Sequence, residues 1–272
     1  MKIKYTATIL SGSGIGSAIV GIIGALYYLR SNNIEEKLLV NLYHASKPVK
    51  ILFSHFLDLS NIDCIEVVNF KNDYKVNYTI GYEYKELYFT EMLNIQNNKK
   101  VNIYHAIKSD SDFDSFYEIF NNIWKLKEEI TNKMILPIDD YKICINIRRG
   151  DKITLESHLK VVEIQEYINE IKKIDINPVN IFHTSDDYNT LLELKQMIPN
   201  YKIDSFRETS DKGYFISELN SIDSLGNIDY ISKFFMELHM MKRSEWFIGV
   251  LTTNVGYLAK FLRKNNKVVF IK

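Results

Sequence analysis

The chain has 272 residues, enough for one large domain or two small ones, and 46% of them are hydrophobic, which allows a well-buried core. Its 34 Lys and Arg residues balance its 34 Asp and Glu residues, so no overall positive field draws it to nucleic acid or to an anionic membrane. Cys64 and Cys144 lie in apolar runs, so we predict that both are small core residues in a reducing, cytoplasmic compartment. No Cys or His residues show the spacing of zinc ligands.

The chain opens with a predicted strand at residues 4–10, a glycine-rich turn and a predicted helix at 17–29. Backbone N–H groups of such a turn form an anion site, and glycine allows a diphosphate to come close. The apolar segment 3–29 suggests a signal anchor, but the turn leaves only 17–29, shorter than the roughly 20 residues of a membrane span. We therefore predict no transmembrane segment. The turn residues of interest are Gly12, Ser13, Gly14 and Gly16.

The remainder of the first half has weaker patterns. We predict a boundary near Pro137, with one α/β lobe at 1–138 and a second at 139–272. Within the first lobe the predicted elements are strands at 50–53, 64–68 and 101–107, a strand or hairpin at 74–84, and a long helix at 113–134.

The second half alternates apolar strand-like runs with amphipathic stretches. This pattern predicts a parallel sheet covered by helices on both faces, and ligands of such sheets bind beyond the carboxyl ends of the strands. The fold class expected is therefore α/β, with two Rossmann-like lobes. The strands are predicted at 142–147, 180–183, 202–204, 246–251 and 267–271, and the helices at 163–174, 189–197, 229–243 and 255–263.

Two adjacent arginines, Arg148 and Arg149, follow the first strand of this half. Placing two arginines directly after a buried strand costs free energy unless an anion pairs with them. The planar guanidinium group matches the oxygens of a phosphate. The alternative is a structural turn in which they pair with acids such as Asp151. Spacing alone leaves both interpretations open.

The segment from Asn146 to Lys152 resembles the HxRRxDK motif of the α-1,6-fucosyltransferases, which are related to the nodulation and protein O-fucosyltransferases. Glu156 stands where that motif carries its acidic residue, whereas Asn146 replaces the motif histidine. Further segments resemble the same family in the same order: the glycine-rich turn, 182–187 with the helix after it, 236–239, 246–248 and 251–254.

The resemblance implies a GT-B-type fucosyltransferase that transfers L-fucose from GDP-fucose to a glycan hydroxyl with inversion and without a metal or other cofactor. The second lobe would bind the GDP-sugar and the first would shape the acceptor side. Catalysis would use Glu156 as general base, oriented by Asp151 and Lys152, while Arg148 stabilises the departing GDP. The GDP-sugar contacts implied are the turn residues, Asn146, Arg148, Arg149, Asp186, Asp187, Glu237 against the guanine, Thr252, Thr253 and Asn254.

Several rival hypotheses have their own patterns. The fingerprint of a dinucleotide-binding site, G-x-G-x-x-G, would need a glycine at position 17, where this chain has Ser17. Asp110, Asp112 and Asp114 are spaced like the acids of a metal-dependent glycosyltransferase, but acids opening a helix satisfy its amides. Another donor such as GDP-rhamnose stays open because the motifs read GDP rather than the sugar. A non-catalytic module that binds GDP-sugar or glycan stays open because Asn146 replaces the motif histidine and the chain is short.

Overall fold

The computed structural model describes residues 2–9, 14–35, 37–58, 63–68, 82–86, 110–132, 134, 140–149, 161–209, 216–251, 253–263 and 267–271. The chain divides into two compact units, Met1–Asn132 and Lys133–Lys272. In the described part of the chain, no helix is both long enough and apolar enough to cross a membrane.

The first unit contains a parallel sheet of order β3-β2-β1-β4. Its helix α1 follows β1 and is buried along most of its length, including the small residues Ala18, Gly21 and Ala25. The elements are β1 (Lys2–Thr8), α1 (Ile15–Ser31), β2 (Leu38–Asn41), α2 (Lys47–Ile51), a π-helical turn (Leu52–Phe56), β3 (Ile65–Val68), β4 (Tyr82–Glu86), α3 (Asp110–Ile123) and α4 (Glu128–Thr131).

The strand predicted at 50–53 is wrong, because this segment is helical. Its buried residues Val49, Leu52, Phe53 and Phe56 recur at helical spacing, and Pro48 lies at the start of α2, where its missing N–H costs nothing. The long helix predicted at 113–134 is divided into α3 and α4. The strand predicted at 101–107 lies outside the described residues.

The second unit contains a parallel sheet of order β7-β6-β5-β8-β9, as the alternating pattern predicts. After β5 the chain adds β6 and β7 on one side of β5, and it then adds β8 and β9 on the other side. The strand order therefore reverses between β5 and β8. The elements are β5 (Ile143–Ile147), α5 (Ile164–Ile174), β6 (Asn180–Ser185), α6 (Asn189–Met197), β7 (Lys202–Asp204), α7 (Ile216–Ser221), α8 (Ser224–Arg243), β8 (Trp246–Val250), α9 (Asn254–Arg263) and β9 (Val268–Ile271).

The residues of β5 alternate between the two faces of this sheet. Ile143, Ile145 and Ile147 belong to one buried cluster with residues of α5 and α6. Cys144 and Asn146 therefore face the opposite side, where α8 contacts β5. Asn146 is thus the last residue of β5 that faces α8.

Gly256 allows α9 to start close to the sheet. A Cβ atom at this position would lie 2.0 Å from the carbonyl oxygen of Val250, the last residue of β8. Two further contacts fix the start of the helix, since the hydroxyl of Thr253 accepts from the N–H of Gly256 at 3.0 Å and its carbonyl accepts from the N–H of Tyr257 at 3.1 Å. Any side chain at position 256 would push α9 away from β8.

Candidate functional site

The carboxyl ends of β5 and β6 bring the arginine pair next to an acidic residue. The strands are parallel and pair Ile147 with Ser185, so Arg148 and Asp186 both follow directly at the same edge. A guanidinium nitrogen of Arg148 donates to Oδ2 of Asp186, and the backbone N–H of Arg149 donates to Oδ1 at 2.8 Å. One carboxylate therefore fixes both the side chain of Arg148 and the turn that carries it.

The two arginines have different surroundings. The side chain of Arg149 donates to the carbonyl of Val162 at 3.0 Å, just before α5. The Arg148 side chain is 25% exposed and pairs with Asp186, which is 11% exposed. Arg148 therefore lies where solvent or a ligand has access to it, whereas Arg149 ties the turn to the segment before α5.

Asn146 presents a buried hydrogen-bond acceptor in a fixed orientation. The hydroxyl of Thr184 donates to the carbonyl of Ile145 at 3.0 Å, so its oxygen must accept from Nδ2 of Asn146 at 2.9 Å. Turning the amide over would place two acceptors against each other. Among the described residues, Oδ1 of Asn146 consequently has no hydrogen-bond partner, although the residue is only 7% exposed.

Glu237 lies on α8 and is held by an arginine that no sequence motif includes. Nε and Nη2 of Arg207 each donate to a different carboxylate oxygen of Glu237, both at 2.7 Å. The two side chains are only 4% and 6% exposed. Arg207 cannot be recognised from the sequence, because thirty positions separate it from its partner and no local spacing links them.

Tyr230 lies within the electrostatic range of both ion pairs. It lies seven residues before Glu237 on α8, and it interacts electrostatically with both Arg207 and Arg148. Burial raises the pKa of the Tyr230 phenol, so this residue is a neutral hydroxyl at physiological pH. The ion pair at the end of β5 and the buried pair on α8 therefore share one neighbourhood.

Three other predicted site residues lie at helix starts. Asp187 accepts from the backbone N–H of Asn189 at 2.9 Å, where α6 begins, and Thr253 caps α9 as described above. Asn254 is the first residue of α9. These residues belong to the same sheet edge, because they follow β6 and β8.

The glycine-rich turn is described only from Gly14 onward. Gly14 precedes α1 in an extended conformation, with φ −77° and ψ 170°, and its carbonyl accepts from the N–H of Ala18 at 2.9 Å. Gly16 lies in the first turn of α1. Outside the described residues are Gly12, Ser13, Asp151, Lys152, Glu156 and Thr252, and their predicted roles stay predictions.

His183 is a buried neutral imidazole. The hydroxyl of Thr190 donates to the carbonyl of Asp187 at 2.7 Å, so it must accept from Nε2–H of His183 at 2.9 Å. Burial, reinforced by Arg207 and Lys195, lowers the pKa of His183 to about 3. Such a residue stays neutral near pH 7, and it acts as a packing residue.

Among the described residues, no three His, Cys, Asp or Glu side chains form a group suited to a metal ion. The acidic triplet of the sequence analysis opens α3, which starts at Asp110. Asp114, whose side chain is described, is exposed.

No protein-family model and no curated protein sequence matches the chain. Solved structures do match over nearly its full length. The fucosyltransferase NodZ from Bradyrhizobium superposes with a TM-score of 0.58 at 13% identity, covering 97% of this chain and 94% of that one. POFUT1 in complex with GDP-fucose gives 0.52 at 10% identity, covering 98% and 97%.

A third similar structure is FUT1 of Arabidopsis thaliana in complex with GDP, with a TM-score of 0.56 at 12% identity, covering 96% of this chain and 68% of that one. The resemblance that the sequence motifs suggest is thus confirmed at the level of the fold, as is the α/β class with parallel sheets. The chain has the fold of the GT-B fucosyltransferases.

Proposed function

We propose that this protein is a fucosyltransferase that moves L-fucose from GDP-fucose to a hydroxyl of a glycan acceptor, with inversion and without a metal ion. The observation that carries the proposal is the position of Arg148. This arginine is partly exposed at the carboxyl edge of the second sheet and is oriented by Asp186, in a fold shared with enzymes that were crystallised with GDP or GDP-fucose.

Arg148 supplies the charge that the reaction needs. When the bond between fucose and GDP breaks, negative charge accumulates on the β-phosphate, and a preorganised guanidinium stabilises it in place of a cation. Asp186 orients Arg148 before the donor arrives, so that less side-chain entropy is lost on binding. Gly14 and Gly16, at the start of α1 in the first unit, are proposed to add backbone donors to the diphosphate.

Two acceptors on the α8 side of the second sheet support guanine as the base. Guanine offers two adjacent donors, N1–H and the 2-amino group, whereas adenine offers no such pair. Oδ1 of Asn146 is a buried acceptor with no hydrogen-bond partner in the described part of the chain, and Glu237 is a carboxylate on α8, the helix that faces Asn146 across the sheet surface. In this proposal Asn146 replaces the histidine of the family motif as a group that accepts from the base.

The proton of the acceptor hydroxyl is assigned to Glu156, oriented by Asp151 and Lys152. Transfer with inversion requires a group on the acceptor side that takes this proton as the anomeric carbon becomes oxocarbenium-like. The assignment depends on the sequence motif alone. The first unit is proposed to form the acceptor side, and a GDP-sugar with another sugar is the second candidate.

The experiment that tests the proposal measures release of the nucleoside diphosphate from GDP-fucose, GDP-rhamnose, UDP-glucose and ADP-glucose, in the presence and absence of mixed oligosaccharides. Fucose transfer predicts GDP release from GDP-fucose that oligosaccharides accelerate. Binding of GDP-fucose without any GDP release would identify a non-catalytic module, and faster release from GDP-rhamnose would reassign the sugar.

A further inference from the structure

The ion pair between Arg207 and Glu237 is almost completely buried, which is unusual for two charged side chains. Its two side chains are 4% and 6% exposed, whereas those of Arg148 and Asp186 are 25% and 11% exposed. The pair links the loop after β7 to the middle of α8, and both of its hydrogen bonds are 2.7 Å long. Removing either partner would leave a buried charge.

Stability alone does not account for this pair. Transferring two charges out of water costs several kcal/mol per ion, and well-packed apolar residues often stabilise a protein equally well or better. Apolar replacements would suit this part of α8, because the neighbouring residues Phe234, Leu238 and Met241 are all buried. A binding role for the Glu237 carboxylate would explain why this buried position holds an ion pair.

The geometry of the contact defines what Glu237 can still do. A carboxylate has about four lone-pair sites, and the side-on contact with Arg207 uses one on each oxygen. The contact also fixes the plane of the carboxylate, because both N–H groups belong to one rigid guanidinium. Glu237 can therefore accept further hydrogen bonds only from directions that Arg207 leaves open.

We propose that Arg207 is a positioning residue of the guanine subsite: without touching the base, it holds the Glu237 carboxylate in the one orientation from which Glu237 accepts an N–H of guanine. This inference rests on the function proposed above, in which Glu237 reads the base. It assigns the preference for GDP over ADP to an arginine that lies outside every motif of the sequence.

The test compares dissociation constants for GDP and ADP, measured by calorimetry, in Arg207→Met and Arg207→Lys. Arg207→Met keeps the apolar stem but releases Glu237, so GDP should bind about 10-fold more weakly while ADP binding stays the same. Arg207→Lys keeps the charge without the rigid fork and should give an intermediate ratio. An unchanged or larger GDP preference in Arg207→Met would overturn the inference.

Arg263, the last residue of α9, provides a matched control because it also contacts α8. It is also buried, and it donates to the carbonyls of Met241 and Ser244 at the end of α8, at 2.6 and 2.8 Å. Arg263→Met should lower the melting temperature and leave the GDP to ADP ratio as in the wild type. A similar loss of base preference in this variant would mean that any damage to α8 has the same effect, and would overturn the specific role of Arg207.

A double variant keeps the test informative if Arg207→Met does not fold. Arg207→Met combined with Glu237→Leu removes both charges and should fold, because no charge is left unpaired. This protein should have lost most of its preference for GDP, and a wild-type preference would overturn the inference. A wild-type protein that binds no GDP would instead refute the proposed function, so the two failures are distinguishable.

Discussion

Asp186 holds Arg148 at the end of β5 by accepting from its guanidinium while also accepting from the backbone of the next residue. The two strands that carry them are neighbours in the sheet, and their paired residues place both side chains at the same level of the edge. The arginine proposed to neutralise the diphosphate is thus oriented by the adjacent strand.

The first prediction concerns Arg148. Arg148→Ala should weaken GDP binding about 10- to 100-fold, because a charge-assisted contact to phosphate is lost, while the melting temperature changes little. Asp186→Asn should have a smaller effect in the same direction, since it loosens Arg148 without removing it. Titration calorimetry with GDP measures both.

A surface arginine controls for the loss of one positive charge. Arg243 pairs with Asp140, whose side chain is 93% exposed, and such pairs contribute little to stability. Arg243→Ala should therefore bind GDP like the wild type. Unchanged GDP affinity in Arg148→Ala would return Arg148 to a structural role in the turn.

The second prediction concerns the buried acceptor of Asn146. Asn146→Ala should weaken GDP binding about 10-fold and leave ADP binding unchanged, because guanine offers N–H donors at N1 and at its 2-amino group, where adenine offers none. Thr184→Val, which removes the hydroxyl that fixes the amide, should give a smaller loss of GDP affinity. Equal GDP affinity in Asn146→Ala and the wild type would show that this acceptor does not read the base.

The third prediction is that GDP release from GDP-fucose persists in excess EDTA, since the proposed mechanism neutralises the diphosphate with Arg148 and backbone N–H groups in place of a cation. The triple variant Asp110→Asn, Asp112→Asn, Asp114→Asn should keep its turnover, because acids at the start of a helix such as α3 are expected to favour the helix amides over a metal ion. Turnover that requires added Mn²⁺ or Mg²⁺, and that the triple variant abolishes, would assign the diphosphate to this acidic triplet.

The fourth prediction follows from the buried imidazole of His183. Its pKa is lowered to about 3 in the folded protein, whereas the unfolded chain takes up the proton below about pH 6.5. The unfolded state therefore binds more protons between these values, and stability falls as the pH falls. From pH 7 to pH 5 this group should lower the free energy of unfolding by about 1 to 2 kcal/mol.

Urea denaturation at pH 7 and pH 5 measures the effect of His183. His183→Gln, which has no titrating group, should show a smaller loss of stability between the two pH values than the wild type. His239→Gln serves as the comparison, because burial and the nearby Arg243 and Lys242 lower the pKa of the exposed His239 less than that of His183, so its contribution should be smaller and of the same sign. The same pH slope in His183→Gln and the wild type would mean that His183 is not the group responsible.

The fifth prediction concerns Glu156. Glu156→Gln keeps the shape of the side chain but cannot take a proton, so the transfer rate should fall about 10²- to 10⁴-fold while GDP affinity is retained. Glu163→Gln, which changes an exposed glutamate just before α5, should transfer fucose at the wild-type rate. Near-normal transfer by Glu156→Gln would move the general base to Asp151 or Asp187.

The sequence by itself determined much of the second sheet. Alternating apolar and amphipathic stretches identify β5, β6, β8 and the helices between them, because a buried strand and a half-buried helix have different hydrophobic periods. Arg148 stands out for a related reason, since a charged residue directly after a buried strand must lie at the sheet edge. Polar residues after parallel strands gather at that edge whatever the lengths of the helices.

Only the tertiary structure decided which partners these residues have. Arg207 and Glu237 are thirty positions apart in the sequence, and no local spacing predicts a contact between a loop and the middle of a helix. The direction of the Asn146 amide depends on Thr184, which reaches it through the register of β5 with β6. The pattern of residues 50–53 predicts a strand, because so short an apolar run shows no helical period. The helical period appears only over the longer segment from Val49 to Phe56, and which of its residues are buried depends on neighbours distant in sequence.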